Sequence, residues 1–362
     1  MILTSLSLSH FRNIPECHLD FSPGVHVFYG DNAQGKTNLL ESIYVCATSR
    51  SHRAARDREL IDFEEEEAHI KMTAERRDGP LRIDMHLRSG KSKGVAVNGI
   101  PIRKVSELFG NINVIFFSPE DLSIIKNSPA ERRKFMDMEL CQLDSFYTRS
   151  LSSYNRALMQ RNKLLKECED NRSLLDTIDV WDEQLTGFGK IIIRERDRFI
   201  REIAPVIQEI HTSLTGGREH IDIRYAPNVP EEAFSEELHR KRARDLGART
   251  TLTGPHRDDI ECLVDGIDIR KYGSQGQQRT AALSLKLSEI ELVKKRLKDA
   301  PVLLLDDVFS ELDSGRQEHL LTALSGVQTF ITCTGLDDFI TENIHIDRTF
   351  YVEHGSISEK KC

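Results

Sequence analysis

The residues of this chain best equipped for chemistry are Gly30-Asp31-Asn32-Ala33-Gln34-Gly35-Lys36-Thr37. Two glycines with four residues between them, followed by Lys-Thr, match a phosphate-binding turn when a strand precedes them and a helix follows. The glycines let backbone N–H groups face a β-phosphate, and Lys36 can reach the β/γ oxygens. Thr37 can ligate Mg²⁺ at the start of a helix whose dipole favours anions. Near the far end, the apolar run Val302-Leu303-Leu304-Leu305 leads directly into Asp306-Asp307. Beside a phosphate-binding turn, Asp306 is expected to hold the Mg²⁺, directly or through water, and Asp307 to orient or polarise an attacking water. Taken alone, the same residues read as a buried strand ending in a solvated turn. Between the two motifs lies Tyr272-Gly273-Ser274-Gln275-Gly276-Gln277-Gln278-Arg279, which alone reads as a loop capping the helix that follows. Ser310-Glu311-Leu312-Asp313 comes just after the acidic pair.

These motifs need elements to hold them. Val25, Val27 and Phe28 predict a buried strand over 24–29, and a helix is expected over 37–47. Alternating segments at 68–75, 81–87 and 94–97, the last reaching Asn98-Gly99, predict an antiparallel meander. Residues 113–117 form another apolar strand candidate. Ser128-Pro129-Ala130-Glu131 is a helix-start pattern, with a capping residue, proline at the first helical position and glutamate at the third. From there to Gly216-Gly217 the pattern is mostly helical. Leu174, Ile178, Trp181, Leu185, Phe188 and Ile192 share one face, and Pro205 is expected to kink or end one helix. A strand near 221–225 and a basic helical stretch follow. α/β character returns from Leu252, with strands at 302–305, 329–332 and 349–352. The expected division is an α/β lobe made from 1–122 and 250–362, and a mainly helical lobe over 123–249.

Composition narrows the classes of function. The chain has 362 residues, 39% of them hydrophobic, enough for a sizeable core and too apolar for a disordered or collagen-like chain. The start has no basic segment feeding an apolar stretch, and the apolar runs are far short of a membrane span, so a cytoplasmic protein is expected. Seven cysteines without a CxxC spacing argue against a disulfide framework or a zinc knuckle. The acidic run 64–67 reads as a solvated loop or helix end. With a net charge of −8, any nucleic-acid partner must meet local positive charge. Candidate clusters are Arg50, Arg53, Arg56 and Arg58; Lys126, Arg132, Arg133 and Lys134; Arg149, Arg156, Arg161 and Lys163; and Arg240, Lys241, Arg242, Arg244 and Arg249. The leading DNA contacts among them are Arg53, Arg56, Lys126, Arg132, Arg133, Arg149 and Arg156. Each cluster also reads as a solvated helix face. No base-reading module is visible, so binding is expected to be sequence-independent and salt-sensitive.

The nucleotide motifs, in this order, resemble those of ABC-type ATPases. The whole chain resembles the RecF family of bacterial recombination and repair proteins, which are related to the SMC ATPases. The resemblance extends to Phe11-Arg12-Asn13, the segments 48–53 and 117–122, Ser128-Pro129 with Arg132-Arg133, Leu252-Thr253-Gly254-Pro255-His256-Arg257-Asp258-Asp259, and the segment 274–280. It implies an α/β, ABC-type P-loop ATPase head of mixed sheet and helices, with an inserted mainly helical lobe and no long coiled-coil arms. By resemblance, ATP and Mg²⁺ lie against Gly30 to Thr37 with Arg12 and Asn13, and Thr37 and Asp306 hold the metal. Lys36, Asp306 and Asp307 carry the chemistry. Ser274, Gly276 and Gln277 of a second copy close the site, making ATP the link in a homodimer. Implied partners are gapped or junction DNA, RecR, and through it RecO and RecA, in repair and the SOS response. Three departures from the wider ABC pattern stand out. Glu120 follows Phe117-Ser118-Pro119 where transporter ATPases carry a glutamine, and Thr332-Cys333-Thr334-Gly335 replaces their switch histidine, leaving Thr334 as the substitute sensor. Asp307 replaces the usual glutamate, and its shorter reach predicts slow turnover. A transporter-type ATPase subunit is the alternative reading.

Overall fold

The computed structural model describes residues 1–168, 172–335, 343 and 345–360. The chain opens with β1 (Ile2–Phe11) and β2 (Ile14–Asp20), and then β3 (Val25–Tyr29) leads into α1 (Lys36–Thr48). A meander follows: β4 (Glu67–Arg76), β5 (Gly79–Arg88), β6 (Gly94–Val97) and β7 (Ile100–Pro101), after which β8 is Val114–Phe117. Helices α2 (Leu122–Lys126), α3 (Pro129–Leu143), α4 (Ser145–Glu167) and α5 (Ile178–Thr215) come next. They are followed by β9 (Ile221–Ala226), α6 (Phe234–Arg240), α7 (Arg242–Ala248), β10 (Asp259–Val264), β11 (Ile267–Asp268) and α8 (Ile269–Tyr272). The long α9 (Gln275–Leu297) precedes β12 (Val302–Asp306), α10 (Ser314–Ala323), β13 (Thr329–Cys333), β14 (Arg348–Glu353) and β15 (Ser356–Lys360).

The chain divides into two compact units, Met1–Asp121 with Glu289–Cys362, and Leu122–Ser288. Among the described residues, the first unit holds two sheets. One is the antiparallel β2-β1-β4-β5-β6-β7. Strict alternation builds it: Ala68, Ile70, Met72 and Ala74 on β4 and Leu81, Ile83, Met85 and Leu87 on β5 are buried, leaving the intervening polar residues on the other face. The second sheet has the order β15-β14-β3-β13-β12-β8, with all strands parallel to their neighbours except β15. Strands β12 and β13, and the edge strand β8, are buried at every position, as expected of a parallel sheet covered on both faces. The strand order puts β13 between β3, which feeds the glycine-rich turn, and β12, which ends in the acids.

The second unit is mainly helical and includes the three-stranded sheet β11-β10-β9. Its later boundary lies at Ser288, not at 249 as the sequence suggested. The reason is pairing: β10 runs antiparallel to β9, from Asp259↔Ala226 to Val264↔Ile221, which ties the segment after 250 to the helical unit. Buried ion pairs tie it further. Arg196, 2% exposed, donates to Asp137, Asp258 and the Pro255 carbonyl. Pro205 does not end its helix, which continues to Thr215 and closes at Gly216 in the left-handed region (φ 61°).

Candidate nucleotide-binding site

The turn between β3 and α1 is shaped by three left-handed residues, Gly30 (φ 149°), Ala33 (φ 64°) and Gly35 (φ 112°). A Cβ on Gly30 would lie 2.3 Å from the Val352 carbonyl oxygen, and one on Gly35 would lie 2.7 Å from Asn13 Oδ1. Only glycine fits either place. The turn is braced from two sides. Asn13 Nδ2 donates to the Gln34 carbonyl (3.1 Å) and its Oδ1 accepts from Asn38 (2.8 Å), clamping the turn to α1. From the other end of the chain, Gly355 N donates to the Gln34 carbonyl (3.0 Å) and His354 N to Gln34 Oε1 (2.6 Å). Lys36 Nζ donates to the carbonyls of Gly30 (2.6 Å) and Asp31 (2.7 Å). Burial pushes its ammonium below the ordinary range, while the charges of Asp307, Asp306 and Asp31 act to raise it.

The acidic strand meets the turn through hydroxyls. Asp306 Oδ1 accepts from Thr37 Oγ1 (2.8 Å) and from Thr332 Oγ1 (2.7 Å), and the same Thr332 oxygen accepts the Asp307 N–H (3.0 Å). Burial pushes the Asp306 carboxyl up, against the bonds from Thr332 and Thr37 and the charge of Arg53, while the charge of Glu120 adds to the rise. Asp307 is held at φ 53°, an uncommon backbone for a non-glycine residue and one found at functional sites. The Thr37 hydroxyl and Asp306 carboxylate are hard oxygen donors converging on one point, a set that suits Mg²⁺. Thr334 lies exposed just past β13.

Beside the turn is a cluster that sequence reading missed. Glu41 on α1, fully buried, receives both Arg12 Nε (2.9 Å) and Arg12 Nη2 (3.0 Å), together with Arg53 (3.0 Å) and Ser51. Burial alone would raise its pKa. The bonds from Arg12 and Ser51 and the charge of Arg53 outweigh burial and hold the carboxyl below its usual range. Arg53, although exposed, also donates to Asn38 (2.8 Å), so it belongs to this cluster. Glu41, Asn38 and Thr332 had no spacing signal. Their roles depend on which segments fold together.

Ser274 and Gln277 form a reciprocal cap at the start of α9. Ser274 Oγ accepts from Gln277 N (3.2 Å), and Gln277 Oε1 accepts from Ser274 N (2.9 Å). This is a capping box with glutamine at its third position. Ser274 and Gly276 are exposed.

The remaining basic candidates separate by burial. Arg132, 2% exposed, is bound by Asp259 (2.5 and 3.1 Å) and by the carbonyls of Ile124 and Asn127, so it is not available to a phosphate. Arg161 is fully buried with Asp182 and Asp245. Arg133 donates to the Asp258 carbonyl (2.7 Å) and is half-buried. Arg56, Lys126, Arg149 and Arg156 are exposed. On α4 the only acid is Glu167, at its last residue. Ser145, Arg149, Ser152, Arg156, Met159 and Lys163 recur at helical spacing on its exposed face.

The RecF/RecN/SMC N-terminal domain family matches residues 2–358. A DNA replication and repair protein RecF of Lachnoclostridium phytofermentans is 54% identical over 359 residues, covering 99% of this chain and 100% of that protein. A solved structure of the recombination mediator protein RecF with ATP, in the RecFOR pathway, superposes with a TM-score of 0.93 at 34% identity, covering 99% of this chain and 98% of that one. The Smc head domain of Pyrococcus furiosus, with an extended coiled coil and the C-terminal domain of ScpA, shares the fold at a TM-score of 0.57 and 18% identity, over 99% of this chain and 96% of that one. The transporter-type subunit weighed above has no counterpart among these matches.

Proposed function

This chain belongs to the RecF family of DNA replication and repair proteins, within the RecF/RecN/SMC class, and from that premise we propose that it is an ATP-gated, DNA-binding dimer acting as a cytoplasmic repair mediator. The observation that carries this reading is the meeting of Thr37, Asp306 and Thr332, from three distant segments, beside a glycine-shaped turn holding Lys36. In this reading the backbone N–H groups of the turn and the Lys36 ammonium bind the β/γ oxygens of ATP. Thr37 and Asp306 would hold Mg²⁺, which would neutralise charge on the phosphate oxygens. Asp307, near Lys36, orients the attacking water and accepts its proton. Its short side chain makes turnover slow, suited to a timed switch. Arg12 and Asn13 support the turn and line its edge. The exposed Ser274-Gln275-Gly276-Gln277 turn of a second copy closes over the γ-phosphate, with Thr334 as the sensor on the first copy. ATP thus assembles the dimer on gapped or junction DNA, hydrolysis releases it, and RecR with RecO connects the bound state to recombinase loading and SOS induction.

Sedimentation with ATP and Mg²⁺ tests this. The wild type should become dimeric with ATP, whereas Lys36→Ala and Ser274→Arg should stay monomeric at the same concentration. Asp307→Asn should dimerise but hydrolyse ATP about a hundredfold more slowly, the scale of losing one positioned catalytic group. Unchanged dimerisation in both Lys36→Ala and Ser274→Arg would defeat the sandwich.

A further inference from the structure

The polar face of the β4–β5 pair carries a feature unconnected with nucleotide binding. His69 and His86 stand directly opposite one another in the strand register, and Glu67 precedes His69 by two residues, on the same face. One ligand atom from each of Glu67, His69 and His86 lies within 4.8 Å of the other two. The imidazole rings stack with centroids 3.9 Å apart and planes 21° from parallel, and His86 Nε2 lies 2.9 Å from Glu67 Oε2. The opposite face of this pair, with Ala68, Ile70, Met85 and Leu87, supplies the burial that holds the strands. The exposed trio is therefore not needed for the core.

We propose that Glu67, His69 and His86 form a binding site for a divalent transition-metal ion of the zinc class. Two imidazole nitrogens and one carboxylate oxygen are the donor set that such an ion takes, with a fourth position left for water. Three donors anchored on two paired strands are already gathered on one side of the sheet, so little chain entropy opposes binding. The acidic run ending at Glu67, read from sequence only as a solvated segment, places Glu64, Glu65 and Glu66 close in sequence and adds negative potential. Beside it His10 Nδ1 lies 3.6 Å from Glu65 Oε1. The simple alternative is a solvated His–Glu pair with no ion.

Titration of the full chain with Zn²⁺ against a fluorescent chelator, in excess Mg²⁺, separates the two. The wild type should take up one Zn²⁺ per chain. His69→Ala/His86→Ala should lose that binding or weaken it by at least about tenfold, as should Glu67→Ala, since even outer partners of a metal are worth that much. Asp306→Asn, in the nucleotide site, should leave it unchanged. All three altered residues sit on the solvated face, and unchanged circular dichroism will check that each variant folds. Equal Zn²⁺ affinity in wild type and double variant, or no uptake by the wild type, would overturn the proposal.

Discussion

At the scale of single residues, the segment 252–259 explains more about stability than about chemistry. His256 Nε2–H donates to the Thr251 carbonyl (2.9 Å), which leaves Nδ1 to accept from the Tyr154 hydroxyl (2.7 Å). The second bond needs the neutral ring, because a protonated Nδ1 has no lone pair left to accept with. Burial, joined by the charges of Arg257, Arg133 and Arg196 and opposed by the Thr251 bond, lowers the His256 pKa to about 4. Because the unfolded chain binds this proton more readily, stability is complete above pH 6.5 and falls as the pH drops toward 4. The shift from 6.5 to about 4 corresponds to a loss of up to ~3 kcal/mol. Urea midpoints measured from pH 7 to pH 4 should show this decline in the wild type and a flatter profile in His256→Gln. Parallel profiles would remove His256 from the account. The glycine-rich turn and the Asp306-Asp307 pair were legible in sequence because their chemistry depends on local spacing. Glu41 and Thr332 were not, since a glutamate in a helix and a threonine in a strand acquire meaning only from distant neighbours.

At the scale of elements, legibility followed how local the determinants were. The strands β3, β8, β12, β13 and β14 and the meander β4–β6 were readable from apolar runs and alternation. Nothing in sequence marked 250–272 as part of the helical unit, because that assignment rests on the pairing of β10 with β9 across an intervening pair of helices. Pro205 is a different case, a local rule overridden. It lies inside α5 and is exposed, while Ile203 and Ile207 on either side are buried. Burial of the flanking apolar face keeps the helix going through a residue that cannot donate to the carbonyl four residues back. Replacing it should relieve that cost. Pro205→Ala is expected to stabilise the chain by ~1–3 kcal/mol, measured as a higher denaturant midpoint at unchanged slope. A lower midpoint would mean that α5 requires the bend.

At the scale of the whole molecule, a net charge of −8 coexists with a helix, α4, whose exposed face is basic and free of acid until Glu167. Arg132, Arg161 and Arg196 are consumed by internal carboxylates, so counting basic residues overstates what the surface offers. If α4 meets DNA phosphates, Arg149→Ala/Arg156→Ala should weaken binding of all DNA sequences alike. It should also lower the slope of log affinity against log salt by about 2, one for each lost phosphate contact. An unchanged slope in a filter-binding series would move the contact elsewhere. The bracing of the glycine-rich turn has a consequence of another kind. Gln34 is held by His354, 320 positions later, and Gly30 fits under the carbonyl of Val352. A ribosome releases the turn some 320 residues before its brace. During synthesis, therefore, the nascent chain carries a complete phosphate-binding sequence without its working shape until that brace has emerged.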